Sequence, residues 1–124
     1  MKKQIKIKAR SVEALAELYN TKTAEAIWQS LPFDSEVNTW GDEIYFRIPL
    51  KIELEAGRET VELGDLGYWP PGRAFCIFFG LTPVSNQGQI KAASEVGVFG
   101  KLLDDPAVFK DVKNGERISV ERFS

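Results

Sequence analysis

One stretch of the sequence, residues 63–80, constrains the fold more than any other. It opens with a polar, glycine-rich approach and passes through Tyr68-Trp69 into the turn Pro70-Pro71-Gly72. It ends in the most apolar run of the chain, Ala74–Phe79. A short apolar run bounded by turn residues is typical of a buried strand. The stretch therefore predicts a core strand with a pocket at its mouth.

The size and charge of the chain limit its class. With 124 residues, the chain is long enough for one domain, and we expect a single domain over 1–124. The net charge of −2 gives no field that recruits nucleic acid or anionic lipid. Apolar runs all fall short of the roughly 20 residues that span a membrane. We therefore expect neither nucleic acid nor a membrane as a partner.

Two residue counts narrow the chemistry and the compartment. The sequence has no histidine, which excludes Ser-His-Asp and Cys-His nucleophiles and imidazole metal sites. Its single cysteine, Cys76, excludes a thiolate cluster and an internal disulfide, and fits a reducing compartment. The N-terminal segment is interrupted by lysines and lacks the apolar region of a signal peptide. We expect a cytoplasmic protein without a metal or cofactor.

The N-terminal third predicts a strand, an ambiguous segment and a helix. Residues 3–10 alternate between apolar and basic side chains, as a half-buried strand does. Residues 11–19 fit period two as well, but their helix formers favour a helix on propensity alone. Residues 21–31 carry one apolar face at helical spacing, with Asn20 or Thr21 as the cap and Pro32 as the stop. Trp28 lies on this face, so we assign it to the core.

The rest of the chain predicts short strands and one more short helix. A hairpin over 35–46 turns at Gly41, and a second over 51–63 turns at residues 56–58 with Val61 and Leu63 facing the core. Residues 82–89 predict a loop, 96–103 a strand and 118–123 a final strand. Asp105-Pro106 opens the helix and Asn114-Gly115 closes it. Six to eight strands with two helices indicate a helix-capped barrel or a sandwich.

Several motifs resemble the cyclophilins, in cyclophilin order: Lys22–Leu31, Phe46-Arg-Ile-Pro49 and Val98-Phe-Gly-Lys-Leu102. More closely, the chain resembles the small stand-alone cyclophilin-like proteins of bacteria and archaea, through Val37–Phe46, Gly64–Gly72 and Phe78–Pro83. The resemblance implies a mainly β fold, a closed eight-stranded antiparallel barrel capped by two short helices. It also implies that residues 11–19 form a strand paired with 3–9, against their helix propensity.

The resemblance places Arg47 where cyclophilins carry their catalytic arginine. Other parts of the cyclophilin site are not matched. Glu62 lies nearest to the expected glutamine, and residues 90–95 contain neither the pocket tryptophan nor the pocket histidine. Prolyl isomerase activity is therefore an open alternative, and we expect no efficient activity.

The candidate binding residues combine rigid aromatic surface with a few polar groups, as ligand pockets do. They are Tyr45, Arg47, Tyr68, Trp69, Phe79, Thr82 and Ser85. Tyr68 and Trp69 fit a pocket and a plug of the barrel end equally well. We expect Asp42-Glu43 to solvate a hairpin tip and Cys76 to be inert filling inside an apolar strand.

These features predict a protein that binds a small molecule or a short peptide, as a monomer or a homodimer. Two alternatives remain open. One is a weak peptidyl-prolyl isomerase that uses Arg47. The other is a protein-interaction module with Trp40 or Trp69 as its interface anchor.

Overall fold

The computed structural model describes residues 3–10 and 12–124 as mainly antiparallel β-structure. Ser11, the first residue of the ambiguous segment, lies outside the described residues, as do Met1 and Lys2 at the start of the N-terminal segment. The strands are β1 (Gln4–Ala9), β2 (Val12–Leu18), β3 (Phe33–Glu36), β4 (Asn38–Trp40), β5 (Glu43–Arg47), β6 (Arg58–Val61), β7 (Asp65–Trp69), β8 (Ala74–Phe78), β9 (Ile90–Leu102) and β10 (Arg117–Arg122). The helical segments are α1 (Lys22–Ser30) and two 3-10 segments, Pro70–Gly72 and Pro106–Asp111.

The strands form a circuit that one bent segment completes. The paired order is β3-β10-β1-β2-β9-β7-β8-β5-β4, with β6 attached to β9 outside this path. Only Val37 separates β3 from β4, so residues 33–40 contribute to both ends of the path. Counted as one, β3 and β4 bring the circuit to eight strands. The eight-stranded antiparallel architecture is confirmed. The circuit is closed by the covalent continuity of β3 and β4, and not by hydrogen bonds between the two end strands.

The segment before α1 is a strand. Val12, Ala14, Ala16 and Leu18 are all buried, and β2 pairs with β1 from Gln4↔Glu17 to Ala9↔Val12. Burial of this face and the ladder to β1 outweigh the helix propensity of the segment. The strand that the resemblance implied is confirmed.

The two predicted helices correspond to α1 and to the 3-10 segment Pro106–Asp111. The Thr21 hydroxyl oxygen accepts a hydrogen bond from the Ala24 N–H at 3.0 Å, and α1 stops before Pro32. The second segment is a 3-10 helix, in which Asp105 accepts from the Ala107 N–H at 3.0 Å. It ends at Asp111, with Val112 as its C-cap, earlier than the predicted Asn114-Gly115. No helix in the described ranges is long and apolar enough to cross a membrane.

The predicted hairpin over 51–63 was wrong. Residues 51–57 form no strand, β6 pairs with β9, and Leu63 is exposed although Val61 is buried. Distant side chains hold the segment instead. The Tyr68 hydroxyl donates to the Leu50 carbonyl at 2.8 Å and accepts from the Ile52 N–H at 3.1 Å. The Glu55 carboxylate accepts from both the N–H and the hydroxyl of Thr23 in α1, so the chain runs across to the helix and does not turn back.

Strands β5, β7 and β8 bury both of their faces. Side chains on the inner face fill the barrel: Ile44, Phe46, Leu66, Tyr68, Phe75 and Ile77. The outer face carries Ala74, Cys76 and Phe78, with Tyr45 and Trp69 packed at its margin. Val61 of β6 and Ile90, Ala92 and Val96 of β9 cover this outer face. The apolar run Ala74–Phe79 is therefore a core strand, as predicted.

Candidate functional site

The outer face holds a cavity of about 220 Å³, which we call the outer cavity. It lies between β5 and β7 on one side and the first half of β9 on the other. Its lining residues are Trp40, Glu43, Tyr45, Trp69, Ala92, Ala93 and Val96.

Small residues on the outer face leave room for this cavity. At Gly67, a Cβ atom would lie 2.9 Å from Val96 Cγ2, so only glycine lets β7 and β9 approach this closely. Ala74 and Cys76 on β8 and Ala92 on β9 are short as well. The large side chains stand at the margin and form walls around the space.

Three neighbours hold Trp69 in place. Its indole N–H donates to Ser94 Oγ at 2.7 Å. At Gly72, a Cβ atom would lie 2.9 Å from two carbons of the indole, so the turn Pro70–Gly72 must end in glycine for the ring to rest there. The Tyr45 ring meets the Trp69 ring edge-on, with centroids 6.2 Å apart and planes at 71°. The two rings form a fixed aromatic corner.

Glu43 supplies the one ionisable carboxyl group among the lining residues. Its side chain is only 5% exposed, and this burial raises its pKa from 4.5 to about 7, although a hydrogen bond with the Cys76 thiol opposes the shift. Burial and the charge of Glu43 raise the pKa of Cys76 well above its ordinary value. The thiol therefore stays protonated at neutral pH, whereas Glu43 is present in both charged and neutral forms.

Charge balance at Glu43 is incomplete in the described part of the chain. The ion pairs found there involve Lys3, Lys6 and Arg117, and none reaches Glu43. Over the same residues, no group of three potential metal ligands comes together. The arrangement can accept a hydrogen bond or a positive charge from a bound molecule.

Two of the predicted binding residues, Tyr45 and Trp69, line the outer cavity. The sequence left open whether Trp69 lines a pocket or plugs the barrel end. Trp69 lies on the outer face of the barrel, where its side chain lines the outer cavity. Arg47 is exposed and borders a different depression with Phe33, Asp34 and Pro49. The structure therefore does not bring Arg47 together with the aromatic corner.

The other predicted binding residues serve the scaffold. Tyr68 and Phe79 are 1% and 5% exposed and pack inside the barrel. Ser85 Oγ accepts hydrogen bonds from the Thr82 N–H at 2.9 Å and from the Lys91 N–H at 3.0 Å, and Thr82 Oγ1 donates to the Lys91 carbonyl. Thr82 and Ser85 thus anchor the start of β9, the strand that brings Ala92 and Ser94 to the cavity.

Sequence reasoning missed Glu43 as a cavity residue. The expectation that this acid solvates a hairpin tip was wrong, because Glu43 is buried. A usable signal was present: in strand alternation, Glu43 shares a face with Tyr45, two residues on. Ser94 had no such signal, since its contact with Trp69 spans 25 residues of sequence. Trp40 was considered only as an interface anchor.

An eight-stranded antiparallel architecture with short helical segments is the one expected of a cyclophilin-like domain. The cyclophilin-like family model matches residues 3–121, and the chain belongs to that family. It is similar to a hypothetical protein from Archaeoglobus fulgidus, known from a solution structure. The two are 41% identical, over 98% of this chain and 95% of that one, with a TM-score of 0.84. No curated protein matches the chain.

Proposed function

We propose that the protein binds a small molecule, or one side chain of a short peptide, in the outer cavity and has no efficient prolyl isomerase activity. One observation carries the proposal: the cavity joins three aromatic walls (Trp40, Tyr45 and Trp69) to a single buried carboxyl group, that of Glu43. Pockets that combine apolar walls with a few placed polar groups are the usual form of a small-ligand site.

The size of the cavity supports a small ligand. At 220 Å³ it lies below the range of roughly 300–1,000 Å³ that holds drug-sized molecules. A ligand of this volume is a single ring or a compact branched group.

The position of Arg47 favours binding over isomerisation. A cyclophilin-type isomerase needs its arginine beside the apolar cup that holds the proline ring. Arg47 is exposed at the depression lined by Asp34, Ile48 and Pro49, whereas the outer cavity has Glu43 as its charged group. The Glu43 carboxylate only accepts hydrogen bonds, so in its charged form it does not supply the donor that the twisted amide requires.

A fragment screen tests the proposal. Cationic, neutral and anionic fragments and a short proline peptide are each tested for their effect on the melting temperature of the protein. We expect some of them to raise it, because a ligand that binds only the folded state stabilises it. The increase should vanish in Trp69→Leu and persist in Phe123→Leu, which removes an exposed ring outside the cavity. The proposal fails if no compound stabilises the protein or if the increase survives in Trp69→Leu.

An isomerisation assay with a proline peptide tests the second half of the proposal. We expect no acceleration that depends on Arg47. Clear activity in the natural protein that is lost in Arg47→Ala would contradict the proposal.

A further inference from the structure

We propose that the ligand of the outer cavity is a small organic cation, an amine or a methylated ammonium group, surrounded by Trp40, Tyr45 and Trp69 and neutralised by Glu43. This inference rests on the proposed binding function and names the ligand class. We call the three rings the aromatic cage.

The aromatic walls suit a cation. An ammonium group is attracted to the faces of tryptophan and tyrosine rings, and cages of such rings recognise quaternary ammonium groups. Tyr45 and Trp69 stand at 71° to each other, as adjacent walls of a cage do. The indole N–H of Trp69 is already bonded to Ser94, so the ring offers π surface to a ligand and not a hydrogen-bond donor.

The charge of the cavity lining also favours a cationic ligand. Glu43 is the charged group that lines the outer cavity, and no lysine or arginine within residues 3–10 and 12–124 joins it there. An anion would face the carboxylate without a basic partner. A buried carboxylate is costly unless it is paired, and a bound cation removes that cost. A purely apolar ligand would leave the cost in place.

A contrast within the molecule supports the inference. Trp28 already has cationic partners of its own: the Arg122 guanidinium lies 4.5 Å and the Lys3 amino group 5.5 Å from its ring. In the described part of the chain, no such cation lies over a ring of the aromatic cage. Trp28 therefore has cationic partners within the chain, whereas the aromatic cage is left for a cation from outside.

The groups that face Glu43 make the binding dependent on pH. The Cys76 thiol faces it from β8 and stays protonated, and the Tyr45 hydroxyl is on the same strand. The β9 residues of the lining are Ala92, Ala93 and Val96, which do not titrate. Glu43 is therefore the group that ionises near neutrality, where its pKa of about 7 lies. Cation affinity should rise from pH 6 to pH 8.

Choline and 3,3-dimethylbutan-1-ol are a matched pair of probes, since the alcohol has carbon where choline has its charged nitrogen. Their affinities are measured by calorimetry for the natural protein, Glu43→Gln and Glu121→Gln, the last being an exposed glutamate on β10. We expect choline to bind the natural protein at least roughly ten-fold more tightly than the alcohol. Glu43→Gln should weaken choline by a similar factor and remove its pH dependence. Glu121→Gln should change neither affinity.

The outcomes separate this inference from the function on which it rests. Equal affinity for the two probes, or an unchanged choline affinity in Glu43→Gln, overturns the cation inference. Saturable binding of the alcohol, or of a neutral fragment, by Glu43→Gln shows that the variant still has a cavity. If neutral or anionic fragments bind through Trp69 and choline does not, the cation inference fails and the binding function stands. If no fragment of any charge binds, both fail.

Discussion

The two faces of strands β5, β7 and β8 are built on opposite principles. On the inner face, the rings of Phe46 and Phe75 stack 4.8 Å apart, and Phe99 meets Phe75 edge-on at 5.0 Å. On the outer face, Tyr45 and Trp69 meet at 6.2 Å beside a cavity. Along β7 and β8, the small outer residues Gly67, Ala74 and Cys76 alternate with large inner residues, and the large outer residues lie around the cavity. A single alternating pattern thus builds a filled interior and an open site on opposite sides of one wall.

The polar groups on the two faces differ in the same way. On the inner face, the hydroxyl of Tyr68 both donates and accepts a hydrogen bond, so its burial is compensated. On the outer face, burial of Glu43 raises its pKa to about 7, so the charged form is not fully compensated. The buried hydroxyl of the inner face is therefore satisfied within the chain, whereas ionisation of the buried carboxyl group of the outer face costs free energy.

The largest effect is expected on the inner face. Phe75→Ala should lower the free energy of unfolding by about 3–5 kcal/mol, because it leaves a void among packed rings. The neighbouring outer-face substitution Cys76→Ala removes far less volume and should cost less. Urea denaturation of both variants measures the difference. A smaller loss in Phe75→Ala than in Cys76→Ala would break the contrast between the faces.

A second effect concerns pH. The folded pKa of Glu43 lies above its unfolded value, so the folded state holds the proton more tightly between about pH 4.5 and 7. Its contribution to stability is present below pH 4.5 and is lost as pH rises towards 7, by about 3 kcal/mol. Glu43→Gln does not titrate, so its stability relative to the natural protein should rise over this window and level off above it.

Denaturation midpoints at several pH values give this difference, with Glu121→Gln as the control. Burial raises the pKa of Asp65 as well, but Asp65 is present in both proteins and cancels. A difference between Glu43→Gln and the natural protein that does not vary with pH would show that Glu43 carries no such cost.

Tyr68→Phe separates a scaffold role from a binding role. Loss of the hydroxyl leaves the Leu50 carbonyl and the Ile52 N–H without their partner, which should cost about 1–3 kcal/mol. Affinity for a cavity ligand should not change, because Tyr68 points into the barrel. Measuring both stability and affinity tests the assignment. Weaker binding at full stability would instead place Tyr68 in the site.

The smallest effect is expected at Arg47. Its side chain is exposed at a separate depression, so Arg47→Ala should change the free energy of unfolding by no more than about 0.5 kcal/mol. Ligand affinity of the outer cavity should also stay the same. A marked loss of ligand affinity in a calorimetric titration of Arg47→Ala would show that Arg47 and the outer cavity belong to one binding site.

Local patterns predicted most of the architecture, because alternation and capping act over a few residues. They gave β1, α1 with Thr21 as one of two candidate caps, the turn at Gly41 and the core strand β8. The family motifs corrected β2, where propensity and tertiary pairing disagree. The path of residues 51–57 was not predictable in this way, since it depends on Tyr68 and on the contact of Glu55 with α1.

The candidate site was predicted only in part, for a related reason. Tyr45 and Trp69 were identified because aromatic residues near a turn suggest a pocket. Glu43 was misjudged because its place beside a turn outweighed its place on the face of Tyr45. The role of Gly67 depends on Val96 passing over it, a contact between strands that no local pattern reveals. Cavities arise from such distant contacts.

The most direct test of the account uses the three tryptophans as reporters. Trp40 and Trp69 line the outer cavity, whereas Trp28 belongs to α1 and lies beside Lys3 and Arg122. The indole N–H resonances of nitrogen-15-labelled protein are followed while a stabilising fragment from the screen is added. The account predicts saturable shifts for Trp40 and Trp69 and none for Trp28. Shifts confined to Trp28, or shifts of equal size in all three, would contradict it.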